Sequence, residues 1–158
     1  MEKLFKSTRG NQAPIDFYTS ILQGIASDGG LLVPDFDFEK KNLEELLSLN
    51  YVDLATEIIS TFAPSDAKEA LHTACTQAYG EGLFCDEVVP VKKAGNVYVA
   101  ELYQGPTAAF KDMALSMLPR MMTLSLKKKG EEREVMILAA TSGDTGKAKL
   151  TGQGFTSA

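Results

Sequence analysis

Gly105-Pro106-Thr107-Ala108-Ala109-Phe110-Lys111-Asp112 joins a strand-like run, Val97-Tyr98-Val99-Ala100, to a Met- and Leu-rich stretch of helical period. Phe110, Ala114, Met117, Leu118, Met121, Met122 and Leu124 recur at the spacing of one helix face. Pro119 lies inside that pattern, where a regular helix would lose ~3 kcal/mol, so the spacing predicts a kink or two helices in tandem. The methionines read as core filler. Lys111 stands in the first turns, beside an aromatic. A lysine sheds its proton near neutral pH in a partly dry, electropositive place, and a helix N-terminus flanked by apolar residues supplies both conditions. Lys111 is therefore the candidate catalytic residue, a Schiff-base lysine.

A second stretch lies about thirty residues on. Val135-Met136-Ile137-Leu138-Ala139-Ala140 is an apolar run of strand length, the kind buried on both faces of a parallel sheet. It runs into Thr141-Ser142-Gly143-Asp144-Thr145-Gly146. Strand, helix, strand and glycine-rich turn in that order define a βαβ unit, and hence an α/β protein with a parallel sheet and flanking helices. Such a turn aims free backbone N–H groups at an anion above the sheet, and Thr141, Ser142 and Thr145 add hydroxyl donors. An ordinary βα turn with hydroxyl caps would use the same residues. A nucleotide phosphate loop is excluded, since two residues rather than four separate Gly143 from Gly146, and Ala148 follows Lys147. No G-x-G-x-x-G dinucleotide fingerprint is present.

Upstream the chain reads as mainly helical. Leu4 to Thr8 alternate and predict a first strand; Ile15 to Ala26, Leu43 onward after Asn42, Tyr51 to Phe62, and Ala67 to Tyr79 predict helices. Val88 to Val91 and Val97 to Leu102 predict strands joined tightly at Ala94-Gly95-Asn96. The formal net charge of -5, with no basic cluster beyond Lys127-Lys128-Lys129, argues against nucleic acid and anionic membrane as partners. That triplet suits a helix C-terminus. No apolar run approaches the ~20 residues of a membrane span, and the N-terminus lacks a signal-peptide core. Cys75 and Cys85 have no metal spacing and read as buried free thiols of a cytoplasmic protein. His72 lies in a polar stretch with nothing placed to orient it.

Taken together, the Gly105–Asp112 and Ala140–Gly146 motifs resemble those of threonine synthase, a fold-type II pyridoxal-phosphate family, also called tryptophan synthase β-like. Ser7-Thr8-Arg9-Gly10 and Asp28-Gly29-Gly30-Leu31-Leu32-Val33-Pro34 resemble that family's N-terminal segment. The resemblance covers about residues 4–148 and concerns the family's N-terminal part only. It implies pyridoxal 5'-phosphate as cofactor, with Lys111 bonded to it and later moving protons on the substrate. It implies a cofactor-facing role for Ser142, Asp144 and Thr145, and a substrate-facing role for Thr141, Ser142, Gly143, Thr145 and Gly146. Asp144 stands where many relatives carry an asparagine near the cofactor's 3′ oxygen, a place where a carboxylate needs a proton or a cationic neighbour. The implied reaction is conversion of O-phospho-L-homoserine and water to L-threonine and phosphate, by a carbon–oxygen lyase of threonine biosynthesis.

Three sections are expected: 1–85, a mainly helical N-terminal threonine synthase-like domain; 86–148, a partial α/β cofactor-binding domain; and 149–158, a tail that departs from the family pattern. Family members are longer, and the loop that holds the cofactor phosphate comes from their later part. The expectation is a truncated form with little or no turnover, which exposes a sheet edge and associates with itself. Two alternatives stay open: a non-catalytic fragment or interaction domain, and a related phospho-lyase acting on O-phosphothreonine.

Overall fold

In the structure, a computed structural model, the described residues are 3–80, 82–85, 87–133, 135–136, 138, 140–141, 143 and 145–146. The chain opens with strand β1 (Leu4–Ser7), short strand β2 (Ile15–Asp16) and helix α1 (Phe17–Gln23). Asp16 ends the strand and caps the helix, its carboxylate accepting from Tyr18 N at 3.0 Å and Thr19 N at 3.2 Å. Strand β3 (Leu32–Pro34) follows, and β1 lies between β2 and β3 with both pairings antiparallel. Phe5 pairs with Ile15 on one side and Pro34 on the other, so the proline sits in an edge strand. The helix expected from Ile15 thus begins two residues later, because β1 takes Ile15 as a pairing partner.

Helices α2 (Leu43–Leu47) and α3 (Tyr51–Ser60) are capped by Asn42 and Asn50. A single 3₁₀ turn, Ser65–Ala67, leads into α4 (Lys68–Tyr79). Ala67, Leu71, Ala74, Cys75 and Ala78 recur at helical spacing and form the buried face of this segment. The small residues let α3 and α4 approach closely. Phe5 and Phe17 extend the core toward the sheet, with ring centroids 6.2 Å apart. Thr56 and Ser125 are buried, and each donates to a carbonyl one turn back, on Val52 and Met121 at 2.8 Å.

Strands β4 (Val91–Ala94) and β5 (Val97–Ala100) make an antiparallel hairpin closed by Gly95 and Asn96. The tight connection falls where the sequence predicts it, but the first strand lies at Val91–Ala94 and not at Val88–Val91, because the pairing register from the two-residue turn sets Lys92, Lys93 and Ala94 opposite β5. Every residue of both strands is exposed. Beyond the Gly105 stretch come α5 (Asp112–Leu115) and α6 (Leu118–Lys129). These are the tandem helices that Pro119 demands: the proline falls in the first turn of α6, where its missing N–H costs nothing. Helix α6 packs on α1 and α4, and Met117 joins the core. The Lys127–Lys129 triplet forms the last turn of α6. Lys128 meets Asp66 at 3.1 Å and Lys129 meets Asp16 at 2.6 Å, tying α6 to segments more than sixty residues earlier.

The described strand pairings are all antiparallel. The parallel strand expected at 135–140 is not formed by the described residues of that run; Met136 and Leu138 are 84% and 86% exposed. An apolar run becomes a buried strand only where neighbouring strands flank it, and none of the described segments does so. Cys75 is buried as expected, but Cys85 is exposed, since it lies in the irregular connection after α4. Among the described residues no helix is long and apolar enough to cross a membrane.

The Asp16–Lys129 pair gives the fold a pH signature. Burial raises the Asp16 carboxyl, but hydrogen bonds from Lys129 and Thr19 outweigh it and hold the group down at about 2. A depressed carboxylate stabilises the fold above its unfolded value, and that stabilisation is lost as pH falls through the folded one. Urea unfolding should therefore show about 1 kcal/mol lost between pH 4 and pH 2 through this pair, which is partly screened. Lys129→Met should flatten that part of the profile.

Candidate functional site

The Gly105–Asp112 stretch folds as a closed turn. Ala108 N donates to Gly105 O at 3.0 Å, and Asp112 N donates to Ala109 O at 3.0 Å. The Asp112 carboxylate is 1% exposed and turns backwards: Oδ2 accepts from Thr107 N at 2.8 Å and Oδ1 from Thr107 Oγ1 at 2.6 Å. Both oxygens withdrawn from water thus have a donor. Ala108 sits at φ 55°, a conformation alanine adopts only when its surroundings over-determine it. Gly105 is required by space, because a Cβ there would lie 2.6 Å from Asp112 Cβ and 2.9 Å from the Phe84 ring.

Lys111 immediately precedes α5 and is half-buried. Its Nζ lies 5.6 Å from the centroid of the exposed Phe110 ring. Among the described residues it has no carboxylate partner. On the far side of Lys111, the Tyr79 hydroxyl at the end of α4 donates to the Met113 carbonyl at 2.7 Å. Burial raises the Tyr79 phenol well above its ordinary range, so it remains a donor at any working pH. Tyr79 also packs against Tyr51 and Phe84, with centroids 5.2 and 6.0 Å away. The base of the hairpin is held by Glu101, which is buried and accepts from Lys92 and Gln104, both at 2.9 Å. Its carboxyl is lowered chiefly by the Lys92 hydrogen bond.

Thr141, Gly143, Thr145 and Gly146 are described; Ser142 and Asp144 lie outside the described residues. Gly143 N donates to Thr141 Oγ1 at 3.3 Å, and Gly143 has φ 145°, a value that only glycine tolerates. The space around Gly146 is limited by Thr141, whose Cγ2 would lie 3.0 Å from an added Cβ. Among the described residues, no hydrogen bond or ion pair joins this turn to Gly105–Asp112.

The early motifs also form a built loop. The Asp28 carboxylate accepts from Ser7 Oγ at 2.6 Å, Gly30 N at 2.9 Å and Asn11 N at 2.9 Å, and Arg9 donates to the Asp28 carbonyl at 3.1 Å. The Ser7 hydrogen bond is the main reason the Asp28 carboxyl is lowered. Two partnerships were missed from sequence. Asp112–Thr107 was hidden inside a motif read for its lysine. His72, read as unoriented, meets Asp53 at 3.0 Å across α3 and α4, on the surface.

This arrangement of a three-stranded antiparallel sheet, packed helices and a lysine turn ahead of a broken helix has solved counterparts. The pyridoxal-phosphate-bound threonine synthase from Brucella melitensis superposes with a TM-score of 0.84 at 33% identity, over 95% of this chain and 32% of that one. The fold is that of the N-terminal portion of a fold-type II pyridoxal-phosphate enzyme. Residues 4–79 match the family model for the threonine synthase N terminus. Threonine synthase from Pseudomonas aeruginosa is 42% identical over 156 residues, covering 92% of this chain and 31% of the relative. Human threonine synthase-like 1 is 38% identical over 142 residues, covering 86% of this chain and 19% of the relative. The chain corresponds to the N-terminal part of threonine synthases, and it spans about a third or less of the length of these relatives.

Gly105→Ala should cost about 2 kcal/mol or more, read by urea unfolding, because the clash is with backbone-anchored Asp112 and a packed ring. Tyr79→Phe should cost about 1 kcal/mol through the lost bond to Met113, with the ring packing retained.

Proposed function

We propose that this chain serves a threonine synthase: pyridoxal 5'-phosphate-dependent conversion of O-phospho-L-homoserine and water to L-threonine and phosphate, in the cytoplasm. The carrying observation is Lys111, an amine without a carboxylate partner among the described residues, on a turn clamped from both sides, in a chain 42% identical to a threonine synthase. Lys111 fits the aldehyde end of the cofactor: it is a half-buried primary amine with no ion-pair partner among the described residues, and such an amine condenses with an aldehyde once it gives up its proton. When bound, pyridoxal 5'-phosphate supplies an electron sink that lets a weakly acidic C–H ionise.

Lys111 would hold the cofactor and then carry protons at the substrate's carbon atoms. Thr141, Ser142, Gly143, Thr145 and Gly146 would face the substrate carboxylate with N–H and hydroxyl donors, and Ser142, Asp144 and Thr145 would border the cofactor. The division into 1–85, 86–148 and 149–158 is retained in this proposal, with the second section carrying the chemistry. Because 158 residues span about a third of the Pseudomonas relative, we expect this length alone to bind cofactor weakly, turn over little and self-associate through the exposed hairpin.

A second reading is a non-catalytic member, favoured by the lack of any hydrogen bond or ion pair between the described residues of the 141–146 turn and those of Gly105–Asp112. Borohydride reduction with added pyridoxal 5'-phosphate, followed by peptide mapping, distinguishes them. Label concentrated on Lys111 and abolished in Lys111→Ala is expected; label spread evenly over Lys92, Lys93 and Lys127–Lys129 would sink the catalytic reading. Phosphate release from O-phospho-L-homoserine against O-phosphothreonine, by a protein of the family's full length containing these residues, assigns the substrate.

A further inference from the structure

We infer that Asp112 is the positioning residue of Lys111, acting through Thr107 and not by touching the reacting atoms. The inference rests on the reading of Lys111 as the cofactor-bearing amine. A carboxylate at the first position of a helix ordinarily serves that helix's own free N–H groups. The Asp112 carboxylate does the opposite: it reaches back across five residues to the N–H and hydroxyl of Thr107. It is 1% exposed and pairs with no cation among the described residues, so its partners are the two Thr107 donors. The bond closes the Thr107–Asp112 loop into a ring whose last link is adjacent to Lys111.

Three other features make that ring rigid. Ala108 is held at φ 55° inside it. Gly105 passes so close to Asp112 that no side chain fits. The Met113 carbonyl, two residues past the lysine, is pinned by Tyr79 at 2.7 Å. Lys111 is thus flanked by fixed neighbours, and its Cα–Cβ direction is set before any ligand arrives. The side chain beyond Cβ stays free of ion pairs among the described residues. Fixed backbone with a free amine is what positional catalysis requires, since a displacement of about 1 Å can cost about 100-fold.

The test compares the 158-residue wild type with Thr107→Val, Thr107→Ser and Asp112→Asn. In each, borohydride trapping with pyridoxal 5'-phosphate gives the ratio of label on Lys111 to label on Lys127–Lys129 in one digest. That ratio should fall about tenfold in Thr107→Val and Asp112→Asn, and return to within about twofold of wild type in Thr107→Ser. An unchanged ratio in both Thr107→Val and Asp112→Asn overturns the inference. Amide hydrogen exchange at Thr107, measured without cofactor, keeps the two readings separate. A wild type with no preference for Lys111 defeats the cofactor reading, and Thr107 exchange then decides the lock. Protection lost in Asp112→Asn upholds the lock; an amide as labile in wild type as in that variant overturns it.

Discussion

The buried face of α4 is the constraint on which the other elements depend. Leu71 and Cys75 are fully buried, and the alanines around them leave room for backbone to approach from more than one side. Helix α3 takes one side and α6 another. Burying a leucine-sized side chain contributes roughly 1.5–3 kcal/mol, and here that gain also sets geometry. The C-terminal end of α4 carries Tyr79, whose hydroxyl reaches the first turn of α5. The position of the lysine turn therefore follows from how well α4 is packed thirty-odd residues earlier.

Much of this was legible in the sequence, for reasons that differ from element to element. Asn42 announced α2 because a short side-chain acceptor before an apolar run has one common use. Pro119 announced a break because its ring cannot continue a helix, and the structure places it in a first turn. Gly95 and Asn96 announced the hairpin turn. Other features were hidden because they depend on distant chain. Ile15 has helical spacing but pairs with Phe5, a tertiary choice that period alone does not encode. The 135–140 run has strand composition, yet its described residues form no strand, because a strand needs neighbours that composition does not reveal.

The candidate site divides in the same way. Lys111 stood out because a lysine between an aromatic and an apolar helix face is chemically unusual. Asp112 beside it drew no attention, since an acidic residue at a helix start has an ordinary explanation; only the direction of its carboxylate, toward Thr107, separates the two roles. The pairing of Lys129 with Asp16 was also unreadable, because the two lie 113 positions apart. That pairing carries helix α6 back onto the first helix, so the core draws on residues from both sides of the connection near Cys85.

Cys85 has a practical meaning of its own. It is exposed, whereas Cys75 is buried and its thiol is raised by that burial, which suppresses the thiolate form. The Cys85 N–H bonds to the Gln104 carbonyl at 3.1 Å, one residue from Gly105. A thiol-directed fluorophore would thus attach at one position without any engineering, and that position shares a strut with the lysine turn. The molecule carries a built-in attachment point for an optical probe that senses the turn and leaves its lysine untouched.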